Sequence, residues 1–253
     1  MKLRVPSLLS AGYWWARQRG LAISPWGDLA RHRCLSGASL AIVGNAGYLA
    51  DLDQGSHLDA HDLVLRMNNF RVAGLERQVG RKLDIFATTF YRDVELTNPL
   101  IAQARFLVAS VPNNFAKGGL RWRHGAAITA GLRRLQRRQV FVPSAACFAS
   151  KLQAIGRYPT TGAMMLYLAA EHLLPVCKSI YVTGFSFFAG RSHYFSQTQV
   201  STTNHDPARE RELLADLLRP HWQSGRIQFD PQMTASLGFE PLRSDPLPLI
   251  PYL

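Results

Sequence analysis

Two histidines and two asparagines, each set in a turn, are the residues of this chain best equipped for chemistry. His193 and His205 carry imidazoles whose ordinary titration lies near neutrality, so either can take or give a proton. His205 stands in Thr202-Thr203-Asn204-His205-Asp206, where Asn204 or Asp206 can cap a following helix that carries Glu210 about one turn in. A metal site needs further strong ligands at suitable spacing, and none accompanies these histidines, so no metal is expected. The asparagines sit where apolar runs end: Asn45 in Gly44-Asn45-Ala46-Gly47 and Asn68 after Arg66-Met67. Glycine lets a backbone come close to a phosphate or ribose, and an Asn amide offers both a donor and an acceptor. The spacing differs from a dinucleotide fingerprint, and a plain strand-to-helix turn accounts for it equally well. Asn68 can bind a ligand or cap a helix. In Tyr158-Pro159-Thr160-Thr161-Gly162, Thr160 or Thr161 can cap an apolar helix whose free N–H groups would attract an anion, or simply begin an ordinary helix.

These turns need elements to hold them. Short runs rich in Val, Ile, Leu and Phe predict strands over 40–44, 62–66, 83–87, 105–109, 138–142, 179–183 and 226–229. Helices are expected over 126–137, 145–154, 161–174 and 206–218. Such alternation predicts an α/β fold: a single Rossmann-like domain with a mostly parallel central sheet and helices on both faces. Gly44, Asn68 and Gly184 each follow a strand, so they share the carboxyl edge where ligands of such sheets bind. Residues 1–36 read as a basic and aromatic arm, 37–235 as the domain, and 236–253 as a proline-rich strap. Trp14 and Trp15 among Lys2, Arg4, Arg17 and Arg19 suit an anionic membrane interface, or a helix packed on the domain.

Composition narrows the partners. A net charge of +12 favours anionic ones: nucleic acid, a membrane surface or a phosphorylated substrate. Arg121, Arg123, Arg133, Arg134, Arg137 and Arg138 form a basic run, but no stacking motif or recognition helix accompanies it, so nucleic acid is not the expected partner. A non-enzymatic binder of nucleic acid or anionic surfaces stands as the alternative class. Three irregularly spaced cysteines, Cys34, Cys147 and Cys177, suit a reducing compartment, and neither a spanning helix nor a good signal peptide is visible, so a cytoplasmic location is expected.

Taken in order, the segments resemble the sialylmotifs of the animal-type sialyltransferases. Leu40 to Lys82 is similar to the large motif, through Val43-Gly44-Asn45-Ala46-Gly47, Asp59-Ala60-His61-Asp62, Arg66-Met67-Asn68 and Val79-Gly80. Arg157 to Phe185 is similar to the small motif, His193-Tyr194 to the third, and His205 with Glu210 to the very small one. The resemblance implies a variant of the GT-A nucleotide-sugar transferase fold. It also implies inverting, metal-independent transfer of sialic acid, or the related Kdo, from a CMP donor to a glycan or glycolipid, with no cofactor. His205 would be the catalytic base and His193 would stabilise the departing phosphate. Asn45, Asn68, Gly44, Ala46, Tyr158, Thr160, Thr161, Gly162, Gly184, Phe185 and Tyr194 would form the CMP pocket. Animal members join two cysteines; here Cys177 matches one, while Leu40 stands in the place of the other, so that bridge is expected to be absent. This departure suggests a soluble, bacterial relative acting on surface glycans such as lipopolysaccharide or capsule.

Overall fold

Short apolar runs flanked by turn formers become strands here, and those inside the sheet are largely buried on both faces, as parallel strands must be. The computed structural model describes residues 22–91, 94–112, 121–136, 139–190, 193–196 and 204–240, with only the backbone of 121–126. The strands are β1 (Ala22–Pro25), β2 (Ser39–Val43), β3 (Leu63–Met67), β4 (Ile85–Thr88), β5 (Phe106–Ala109), β6 (Gln139–Val142), β7 (Ser179–Thr183) and β8 (Ile227–Phe229). All pair in parallel in one sheet of order β1-β6-β5-β4-β3-β2-β7-β8. The α/β, Rossmann-like expectation is met.

The helices in chain order are α1 (Trp26–Leu29), α2 (Gly55–Asp59), α3 (Glu76–Val79), α4 (Pro99–Gln103), α5 (Arg121–Arg134), α6 (Ala145–Ile155), α7 (Thr161–Leu168), α8 (Pro207–Gln223) and α9 (Pro231–Ser236). Five of them begin at a side chain that accepts a backbone N–H: Asn98 for α4, Ser144 for α6, Thr160 for α7, Asp206 for α8 and Asp230 for α9. The run expected as one helix over 161–174 is α7 followed by a π turn at Ala169–Leu173. Among the described residues, no helix is long and apolar enough to cross a membrane.

Chain direction creates the crevice. From β2 the chain winds outward through β3, β4, β5 and β6, then returns to β7 on the other side of β2 and continues to β8. Connections leaving β2 and β7 therefore diverge, and a parallel sheet opens a ligand site beyond the carboxyl ends at such a point.

Both domain boundaries need correction. The arm expected over 1–36 is part of the fold from Ala22 onward: β1 pairs with β6, and Trp26, Leu29 and Leu35 are buried. Trp26 also donates its indole N–H to the Ala109 carbonyl at 3.1 Å. Ser24 and a terminal Pro25 disguise this strand, and its place at the sheet edge is where proline is tolerated. At the other end Leu237 and Phe239 are buried, and Phe239 stacks on Trp222, so the domain continues past 235. Trp14, Trp15 and most of the strap lie outside the described residues. Arg133 and Arg134 are exposed at the end of α5, whereas Arg137 and Arg138 are outside the description, as are the side chains of Arg121 and Arg123. Cys177 is buried and free.

Candidate active site

The crevice floor is two glycine turns pressed together. Gly44 N–H donates to the Thr183 carbonyl at 2.8 Å, and Ala46 N–H to the Gly184 carbonyl at 2.9 Å. A Cβ at Gly44 would lie 2.1 Å from the Gly184 oxygen, and Gly184 itself sits at φ +81°. Here the missing side chain lets two strand exits meet; the expected close approach to a ligand is not what demands the glycine. A third strut is Tyr48, whose hydroxyl donates to Asp230 at 2.7 Å and accepts the N–H groups of Gly184 and Phe185 at 2.8 and 3.2 Å. Burial and the Asp230 carboxylate push its phenol well above the ordinary range, so it stays protonated.

Over this floor lies a cleft of about 700 Å³. Of the residues expected at the site, Gly44, Asn45, Ala46, Asn68, Tyr158, Thr160, Thr161, Gly162, Gly184, Phe185, His193 and His205 all line it. Tyr194 does not line it: it is buried behind the wall, its hydroxyl bonded to the backbone N–H and carbonyl of Arg71 and its N–H given to the Asn45 carbonyl. Its task is to pin the Asn45 turn, a role that adjacency to His193 in sequence conceals.

The two asparagines present the same atom. The Asn45 amide donates its N–H to the Met67 carbonyl at 3.0 Å, and the Asn68 amide to the Thr161 hydroxyl at 3.1 Å. Each then holds a buried oxygen with no partner among the described residues. A buried acceptor left unmade costs about 1–3 kcal/mol, so both oxygens suit a ligand that brings O–H or N–H donors. Asn68 caps no helix; it bends at φ +48°, which Asn tolerates better than most residues. Ser110, unremarked in the sequence, is buried 3.3 Å from the Thr161 hydroxyl and extends this chain of polar contacts inward.

The start of α7 supplies the opposite polarity. The Thr160 hydroxyl accepts Ala163 N–H at 3.0 Å, while the Thr160 N–H and hydroxyl both donate to Glu210 at 2.7 Å. The N–H groups of Thr161 and Gly162 remain without a partner among the described residues, beside the cleft. Such a terminus attracts an anion. Glu210 is almost completely buried, which pushes its carboxyl up to about 7, against the lowering effect of the Thr160 donors.

The histidines are held differently. A nitrogen–carbonyl distance of 2.7 Å joins His205 Nδ1 to the Tyr158 oxygen. A carbonyl only accepts, so Nδ1 carries the proton and Nε2 is left as the basic lone pair. The ring also stacks on Phe188, with centroids 6.3 Å apart and planes 12° apart. His193 stacks on Phe195 at 5.0 Å, and partial burial lowers its pKa, which favours the neutral imidazole.

Residues 28–141 and 141–221 match the model of Glycosyltransferase family 29 (sialyltransferase). The chain belongs to that family. It is 40% identical over 78 residues to mouse alpha-N-acetylgalactosaminide alpha-2,6-sialyltransferase 2, covering 31% of this chain and 20% of that protein. It is 30% identical over 159 residues to mouse CMP-N-acetylneuraminate-beta-galactosamide-alpha-2,3-sialyltransferase 2, covering 57% and 42%. A 51% match over 45 residues, 18% of this chain and 11% of the other, links it to a rice sialyltransferase-like protein 2. The chain thus spans half or less of the length of these curated relatives. The crystal structure of a mammalian sialyltransferase shares its fold, with TM-score 0.60 and 23% identity over 90% of this chain and 81% of the other.

Within this sialyltransferase-family chain several lining residues carried no signal of their own. Phe187 and Phe188 reach the cleft because the loop after β7 turns through φ +48° and +61°, a conformation no spacing pattern announces. Thr89, Ser110 and Val111 join them simply because they follow β4 and β5. That could have been read from the strand ends, since every exit of a parallel sheet faces one rim.

Proposed function

We propose that this chain is a CMP-sugar glycosyltransferase that moves sialic acid from CMP-sialic acid to a hydroxyl of a glycan, inverting the sugar carbon without a metal ion. The observation that carries the reading is the convergence on one cleft of His205, the two unpaired asparagine oxygens and the free N–H groups of α7.

Each group takes a distinct part. The amide oxygens of Asn45 and Asn68 accept from donor hydroxyls, which favours ribose over the phosphate that the sequence left equally open. Thr161 and Gly162 N–H groups face the phosphate, and His193, which lines the same cleft, donates to its oxygens. As the acceptor oxygen bonds to the sugar carbon, the bond from that carbon to the CMP phosphate breaks. The hydroxyl proton passes to His205 Nε2, and the negative charge released on CMP rests on the α7 amides and His193. Tyr158, by fixing Nδ1–H, sets the tautomer that can act as base.

The test combines binding and turnover. Calorimetry with CMP is expected to show binding; none at millimolar CMP overturns the reading. His205→Ala is expected to keep CMP affinity and lose about 10²–10⁴-fold in turnover. Assays with CMP-Neu5Ac and CMP-Kdo side by side decide the sugar, and activity with the second alone would replace sialic acid in this proposal.

A further inference from the structure

A second cleft, of about 370 Å³, lies on the far side of the loop that follows β7. Ser186 lines both clefts; Phe187 and Phe188 line the first, and Ala189 and Gly190 the second. This short stretch is therefore a partition between them. Its two left-handed phenylalanines, each strained by roughly 1–2 kcal/mol, send both rings toward the first cleft and leave the second without an aromatic wall from this side. The opposite wall comes from Tyr48 and Asp51 after β2 and from Gln232 and Ser236 on α9.

The polar groups there are uncommitted. Among the described residues, no hydrogen bond or ion pair engages the side chains of Asp51, Ser186, Gln232 or Ser236. Together they offer a carboxylate, an amide and two hydroxyls, a mixture of donors and acceptors suited to a ligand dense in hydroxyl groups. With no partner among the described residues, the Asp51 carboxylate repels phosphate or carboxylate, so a neutral ligand is favoured. Position supplies the rest. Phe188 stacks on His205, and Ala189, the next residue, already belongs to the second cleft; consecutive Cα atoms lie about 3.8 Å apart.

We propose that the second cleft is a subsite for neutral sugar units of the acceptor, next to the unit that receives the transferred sugar. It rests on the reading of His205 as the base over the acceptor hydroxyl. An oligosaccharide with its terminal unit at His205 would cross Ser186 and lay its neighbouring units against Asp51 and Gln232. Acceptor length would then raise affinity without changing the chemical step.

The experiment is an amide-resolved NMR titration of the full chain with a disaccharide and with a neutral tetrasaccharide ending in that disaccharide, each with and without CMP. The tetrasaccharide is expected to bind more tightly and to move the amides of Ser186, Ala189 and Gly190; the disaccharide is expected to leave Gln232 and Ser236 unmoved. The double variant Asp51→Ala, Gln232→Ala is expected to weaken the tetrasaccharide about tenfold and to leave the disaccharide and CMP unchanged. Equal binding of both sugars to the wild type, or a tetrasaccharide indifferent to the double variant, overturns the subsite. Tighter binding of a tetrasaccharide bearing a phosphate at these amides overturns it too. Tetrasaccharide binding at these amides without any CMP binding would keep the subsite and remove the donor reading.

Discussion

Glu210 shares a motif with His205, which stands five residues before it, yet its carboxylate faces Thr160 at the head of another helix. Its carboxyl is pushed up to about 7 in the fold, above an ordinary 4.5. The folded state therefore holds this proton more tightly, and the stability so gained is complete below 4.5 and lost as pH rises through 7. Glu210→Gln should gain on the wild type by up to roughly 3 kcal/mol between pH 4.5 and 7.5, read by urea unfolding at both ends. A constant difference across that range would refute the assignment. His193 gives the converse case at the ligand. Burial favours its neutral form, so an arriving phosphate should draw a proton onto it. CMP calorimetry near pH 7 in two buffers of different ionisation enthalpy should show proton uptake, and His193→Gln should abolish it. At this scale the sequence identified the participants but not their orientation. Which amide atom of Asn45 is free depends on the Met67 carbonyl, and the place of Tyr194 behind the wall depends on Arg71.

The elements were easier to read. Strands β2 to β7 are predominantly apolar runs, since parallel strands inside a sheet are covered on both sides, and α6 to α8 announce themselves by Ser144, Thr160 and Asp206. The short helices α2, α3 and α4 passed unnoticed, because segments of four or five residues owe their form to packing rather than to periodicity. Tyr48 belongs to the same class: one tyrosine just past a glycine turn, with no spacing to mark it, ties β2, β7 and α9 together through Asp230. Tyr48→Phe should lower stability by about 1–3 kcal/mol in denaturant unfolding, since the Phe185 N–H loses its acceptor and the Gly184 N–H keeps only a 3.4 Å contact with Asp230. It should also weaken CMP binding, because the Gly184 turn loosens; unaltered unfolding and CMP affinity would deny the tyrosine this part.

For the molecule as a whole, the order of strands decides where ligands meet. The divergence between β2 and β7 was implicit in the alternation of runs, but the outermost position of β1 was not, since a four-residue segment ending in proline carries almost no strand signal. The match to the family begins at residue 28, after that strand. Removing residues 1–29 should therefore destabilise the domain by more than removing 1–20, which leaves β1, Trp26 and Leu29 in place. Thermal unfolding of the two truncations compares them directly, and equal melting temperatures would show the strand to be dispensable.

That same strand carries a consequence for biosynthesis. Ala22 pairs with Gln139, so β1 leaves the ribosome long before its companion in the sheet has been made. At roughly 5–20 residues per second that is a wait of many seconds, with Trp26 and Leu29 still wet. The nascent chain must spend that interval shielded, by a chaperone or by its own passing contacts, and slowing translation between these two stretches should lower the soluble yield.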